Sequence, residues 1–164
     1  MVWLAVRSRT NQSGAARRKA PASEAGYGTG PEGIAVLLAT VGDAAVVLSY
    51  EEDRSFAAVS LSRFGSVGSS RLDWSGVEVL QRSPAFDGER LRELLSWLAR
   101  PDELAVVFWG NLAVPSRALE VGLVEAQADE ILKCGYECWI YLVDSGVVIE
   151  FQDGEGFIAG RVPS

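Results

Sequence analysis

After its first 30 residues the chain is a series of short apolar runs and alternating stretches, with two longer segments of helical period between them. The run Leu104-Ala-Val-Val-Phe-Trp109 has no polar position, the pattern of a central strand covered on both faces. Cys138-Trp-Ile-Tyr-Leu-Val143 and Val147-Val-Ile-Glu-Phe151 flank Asp144-Ser145-Gly146 and predict a hairpin. With a three-residue loop, Tyr141 faces Ile149 and Trp139 faces Phe151 on the core side. Ile140 and Glu150, and Cys138 and Gln152, then share the other side, whereas a two-residue turn exchanges the faces. Asp153-Gly-Glu-Gly156 is a second turn, leading into a last strand over residues 157–162.

Earlier in the chain, residues 34–41 read as a buried strand, turning at Gly42-Asp43 into a strand over 45–50. The acidic turn Glu51-Glu52-Asp53-Arg54 leads into residues 55–62, where Phe56, Ala58 and Ser60 alternate with Ala57, Val59 and Leu61. Together these predict an antiparallel meander. Residues 63–72 are rich in glycine and serine and predict a mobile loop, and residues 74–80 a fourth strand. Asp87 is placed to cap a first helix, with Leu91, Leu94, Leu95 and Leu98 on one face and Pro101 beyond its end. A second helix is predicted over 117–134, capped by Ser116 behind Pro115. Leu119, Val121, Leu123, Val124 and Ile131 broaden its apolar surface, and Gly135 suits a left-handed cap. The expected fold is α+β: an antiparallel sheet, meander plus C-terminal hairpins, packed by two α-helices.

Length changes this picture little. A chain of 164 residues fits one domain over residues 31–164 with a substantial core. Residues 1–30 are Arg-, Ser-, Ala- and Gly-rich without periodicity and read as a disordered leader, with a transit peptide or an over-long start as alternatives. No apolar run approaches the 18 or so residues a membrane span needs. Two cysteines, Cys134 and Cys138, are too few for a disulfide scaffold and point to a reducing compartment, here the cytoplasm.

Several chemistries drop out. The sequence contains no histidine, which removes Ser-His and Cys-His nucleophile pairs and a histidine general base. A zinc site would need the two cysteines plus carboxylates, an uncommon ligand set. Cys134 and Cys138 straddle a predicted helix end, where the dipole disfavours a thiolate, so both read as structural. Asp144, Glu150, Asp153 and Glu155 on the hairpins fit no calcium loop, and no helix opens after Gly154-Glu155-Gly156 to cradle a phosphate. Trp74, Trp97, Trp109 and Trp139 sit in apolar runs and read as core. No catalytic residue, metal or cofactor is expected.

Charge is what remains. Residues 1–30 hold five basic residues and one acid, leaving ten basic and 21 acidic side chains, a formal net charge of −11, for residues 31–164. Such a body repels nucleic-acid backbones and speeds encounter with a cationic protein. Glu125, Asp129 and Glu130 on the second helix, with Glu150, Asp153 and Glu155 on the hairpins, form one negative surface if helix and hairpin are neighbours. They are the candidate partner-binding residues, against the plainer reading of scattered solvated acids.

Three stretches carry a family resemblance over about residues 34–143. They are Tyr50-Glu-Glu-Asp-Arg-Ser-Phe56, then Phe108-Trp-Gly110 with Pro115 and Leu119, then Gly135 with Glu137-Cys-Trp139. In these the chain resembles the α+β immunity proteins found beside toxins in bacterial polymorphic toxin systems, in particular those accompanying deaminase-type toxins. The resemblance implies a non-enzymatic inhibitor that binds a cognate toxin domain and blocks its active site; the acid surplus adds the expectation that this partner is basic. The alternative is a small regulatory or ligand-binding α+β module without catalysis.

Overall fold

The computed structural model describes Leu37 and residues 39–111 and 114–164; the leader and residues 34–36 and 38 of the first expected strand lie outside them. The described residues form an α+β fold on a seven-stranded sheet. Its strands are β1 (Val46–Val47), β4 (Val79–Ser83), β5 (Leu104–Trp109), β6 (Arg117–Glu120), β7 (Glu137–Leu142), β8 (Val147–Gln152) and β9 (Gly156–Arg161). They lie in the order β1-β6-β5-β7-β8-β9-β4, every neighbouring pair antiparallel. A separate hairpin joins β2 (Gly65–Val67) and β3 (Arg71–Asp73).

Each face of the sheet has its own core, because strand side chains alternate with a period of two. Val107, Trp109, Ile140, Leu142, Ile149 and Phe151 point to one face and pack under three helices. These are α2 (Gly88–Leu98), α3 (Val121–Ala126) and α4 (Ala128–Lys133). Val106, Phe108, Trp139, Tyr141 and Val148 point the other way, under α1 (Tyr50–Val59) and the β2–β3 hairpin. The apolar run in β5 is explained by this arrangement: Ala105 to Trp109 are all buried, alternately beneath the two layers. The first expected helix forms as α2. Asp87 Oδ1 accepts from Arg90 N at 2.9 Å, and Leu91, Leu94 and Leu95 are fully buried. Each such leucine contributes about 2 kcal/mol by transfer from water.

The expected meander is not what forms. Residues 39–41 are helical, Gly42–Ala44 make a 3-10 turn, β1 has two residues, and 50–59 are the helix α1. A capping box decides it: Ser49 Oγ accepts from Glu52 N at 3.2 Å and Glu52 Oε2 from Ser49 N at 2.8 Å. Glu51, Glu52 and Asp53 then place three acids in the first turn, where the helix dipole favours them. The glycine- and serine-rich stretch expected as a loop holds the β2–β3 hairpin, and of the strand expected over 74–80 only Val79 and Leu80 are extended, opening β4 after a turn.

The second helix starts late. Residues 117–120 form β6, whose pairing with β5 outweighs the helix propensity of Arg-Ala-Leu-Glu. Ser116 therefore caps nothing and donates to Asp53. The helical segment after β6 is broken at Gln127 into α3 and α4. Gly135 does not adopt the left-handed conformation. A Cβ there would come within 3.2 Å of the carbonyl oxygen of Glu137, with the Trp109 indole at ordinary contact distance.

The β7–β8 loop has four residues rather than three, so Trp139 opposes Glu150 and Ile140 opposes Ile149. A distant residue fixes this register: buried Glu103 accepts from Ser145 N at 2.6 Å and Ser145 Oγ at 2.8 Å, while Gly146 takes φ +63°. The faces of β7 are thereby exchanged relative to β8. Cys138, Ile140 and Phe151 lie under the helices, and Trp139, Tyr141 and Glu150 on the far side.

Gly156 opens β9 at φ +116°, and a Cβ there would stand 1.9 Å from the carbonyl oxygen of Ser83. Gly156→Ala is expected to destabilise the protein by about 2 kcal/mol or more, read as a lowered urea midpoint, since strain and backbone overlap act together.

Candidate functional site

On the face covered by α1 and the β2–β3 hairpin, coverage is incomplete. A cavity of about 490 Å³ remains between the hairpin and strands β4, β8 and β9. Its apolar lining includes Leu72, Trp74, Phe157 and Ile158; its charged groups are Arg71, Arg82, Glu150 and Glu155.

Glu150 anchors it. Strand alternation turns this residue to the same face as Val148, and only 3% of it is exposed. One carboxylate oxygen accepts from Leu72 N at 2.8 Å and from Trp139 Nε1 at 2.8 Å; the other accepts from Trp74 Nε1 at 3.1 Å. Burial pushes its pKa above the ordinary glutamate value, against the three donors and the positive charge of Arg71. Gly160 makes room for one of these donors: a Cβ there would meet the Trp74 ring at 2.8 Å. Trp74 is further fixed by Phe64, edge-on with centroids 4.9 Å apart.

The rim is tied by polar contacts between the hairpin and the β8–β9 turn. Arg71 pairs with Glu155, which raises the guanidinium pKa, and Gln152 Nε2 donates to Ser70 O at 3.1 Å. Arg82 on β4 is exposed and forms no ion pair among the described residues. Two arginines and two glutamates leave the cavity formally neutral, in a chain of net charge −7.

The six acids expected on one surface are divided by the sheet. Glu125 on α3 and Asp129 and Glu130 on α4 stand on the helical side. Asp129 is engaged there by Arg92 at 2.8 Å and Gly88 N at 3.2 Å, and Glu130 by Lys133 at 3.2 Å. Glu155 leans on Arg71 at the rim of the cavity. Asp153 lies in the same turn, half-buried, with burial raising its pKa. Glu150 is inside the protein on the opposite face and contributes nothing to an exposed acidic surface. The period of two puts it there, and the β2–β3 hairpin covers the face that was expected to be solvated.

Arg71, Trp74 and Arg82 do not stand out in the sequence as site residues. The signal present is Glu150 itself, a lone carboxylate in the run Val-Val-Ile-Glu-Phe, which calls for donors from elsewhere in the fold. Of the other expected core tryptophans, Trp97 is 60% exposed, its ring 5.1 Å from the Arg90 guanidinium. Cys134 and Cys138 are free and buried, and burial pushes the Cys134 thiol up to about 11. No helix among the described residues is long and apolar enough to cross a membrane.

With its folded pKa raised above 4.5, Glu150 ionises more readily in the unfolded chain. Its contribution to stability is therefore lost as pH rises from about 4.5 through the folded value. Urea unfolding from pH 4 to 7 should show wild type losing stability relative to Glu150→Gln over that window. A relative gain with rising pH would mean that the three donors outweigh burial. Comparison of the chain with models of known protein families and with curated proteins gives no match, so the reading of this site rests on its chemistry.

Proposed function

We propose that this protein is a non-catalytic binding module that takes a small ligand, neutral overall and partly apolar, in the cavity above Glu150. The observation that carries this reading is a cavity of about 490 Å³ with apolar walls and a balanced set of charged groups. Sites for small molecules have this size and composition, about 300–1,000 Å³ with a few convergent polar groups. Both oxygens of Glu150 already serve Leu72, Trp74 and Trp139, which suits a group that holds the site in shape rather than one that moves protons. The test is ligand-observed NMR with a fragment library, followed by 15N mapping. Hits should shift the Trp74 indole and Gly156 signals, and Ile158→Trp should abolish binding with the fold retained. Hits that map elsewhere, or survive Ile158→Trp, would remove the cavity from the function.

The acid surplus favours a second reading, an immunity-type inhibitor acting in the bacterial cytoplasm on a basic toxin domain. A net charge of −11 over residues 31–164 would speed encounter with such a partner. Glu125 is the suitable probe, since Asp129 is committed to Arg92 and Gly88. The product of the adjacent toxin gene should be neutralised on co-expression, and Glu125→Lys should slow association severalfold without lowering the unfolding midpoint. Failure to rescue the host would dismiss this reading.

A further inference from the structure

On the helical face, away from the cavity, one arginine is buried without a counter-charge among the described residues. Arg117 on β6 is 7% exposed, and its Nε–H is sealed from water with no acceptor. Arg71, Arg92, Arg100 and Arg161 each face a carboxylate. Arg90 also has a sealed Nε, but its Nη1 pairs with Glu93 at 2.6 Å. Arg117 has no such relief: no hydrogen bond or ion pair joins its guanidinium to any described residue, in a chain with 22 acids. Desolvation accordingly lowers its pKa. The ionisable neighbour it senses is Cys134, whose thiol, held at about 11, stays neutral and donates to Glu130 O at 3.2 Å. An arginine remains charged even when desolvated, and a buried charge of this kind calls for an opposite one.

The register shows where that charge would enter. Arg117 lies opposite Val107 on one side and Val47 on the other, so these side chains share its face. Val107 is core, whereas Val47, on the two-residue edge strand, is 50% exposed. Of the two cross-strand neighbours on its face, the exposed one is therefore the one at the edge of the sheet.

We infer that Arg117 is the anchor of an oxyanion-binding site at the β1–β6 edge, taking a carboxylate or phosphate group between the guanidinium fork and Val47. A planar fork matches either group through two parallel hydrogen bonds, which chloride cannot reproduce. Nothing in this inference depends on the cavity above Glu150.

Inorganic phosphate and acetate are the probes, titrated into the full-length protein against sodium chloride at matched ionic strength. The 15Nε signal of Arg117 should shift saturably with an oxyanion and not with chloride. The unfolding midpoint should rise by ~4 °C at an oxyanion concentration about ten times the dissociation constant. Response to phosphate alone assigns a phosphoryl ligand, and response to both probes assigns the site to oxyanions generally, carboxylates included. Arg117→Met should abolish the midpoint response. The inference is overturned if neither oxyanion shifts the Arg117 signal saturably, or if Arg117→Met responds as wild type does. Should Arg117→Met not fold, the wild-type titration decides alone.

Discussion

The carboxylate of Glu150 is the contact on which the far face of the sheet depends. It gathers the backbone of β3 and the indoles of Trp74 and Trp139 onto one side chain. A two-stranded hairpin is marginal by itself in water, and the β2–β3 pair has three residues in each strand. Its attachment to the sheet comes from Leu72 and Trp74 in the core, from Glu150, and from the exposed Arg71–Glu155 pair. Exposed pairs contribute at most about 1 kcal/mol. Removing the Glu150 acceptor would leave three buried N–H groups unpaired at roughly 1–3 kcal/mol each. The buried carboxylate therefore dominates the polar part of the attachment, and the cavity exists because the hairpin is held over β8 and β9 without sealing them.

How much of this could be read from the residues depends on how local each cause is. The helix α2 and the central strand β5 follow from nearby signals: a cap at Asp87, leucines at helical spacing, an unbroken apolar run. The helix α1 had a local signal too, Ser49-Tyr-Glu-Glu52, and the alternation of Phe56 to Leu61 concealed it. The register of β7 and β8 had no local cause. Glu103, some 40 residues before Ser145, sets the loop length, and one added loop residue turns the side chains of β7 over relative to those of β8. Glu150 does lie on the face opposite Ile149 and Phe151, as its strand period requires, but that face is covered by the β2–β3 hairpin and so offers no exposed carboxylate.

Electrostatics separates the surface from the site. The chain is acidic as a whole, yet the cavity is formally balanced, with Arg71 and Arg82 beside Glu150 and Glu155. On the proposed readings, long-range attraction and local recognition would belong to different parts of the molecule. A cationic partner would be drawn to the body without being selected by the cavity. A neutral ligand would be selected by the cavity without being drawn from a distance.

The two buried charges on opposite faces of the sheet show what a satisfied site looks like and what an open one looks like. Glu150 has donors on both oxygens, supplied by segments 11 to 78 residues away, so the fold itself completes it. Arg117 has as little exposure and as strong a need for a partner, but β6 is next to the edge of the sheet and its outer neighbour is only two residues long. A longer β1 would have brought more backbone and side chains over that edge. Its shortness leaves Arg117 paired with half-exposed Val47, and a charge with no counter-charge among the described residues is the feature from which the proposed anion site is argued.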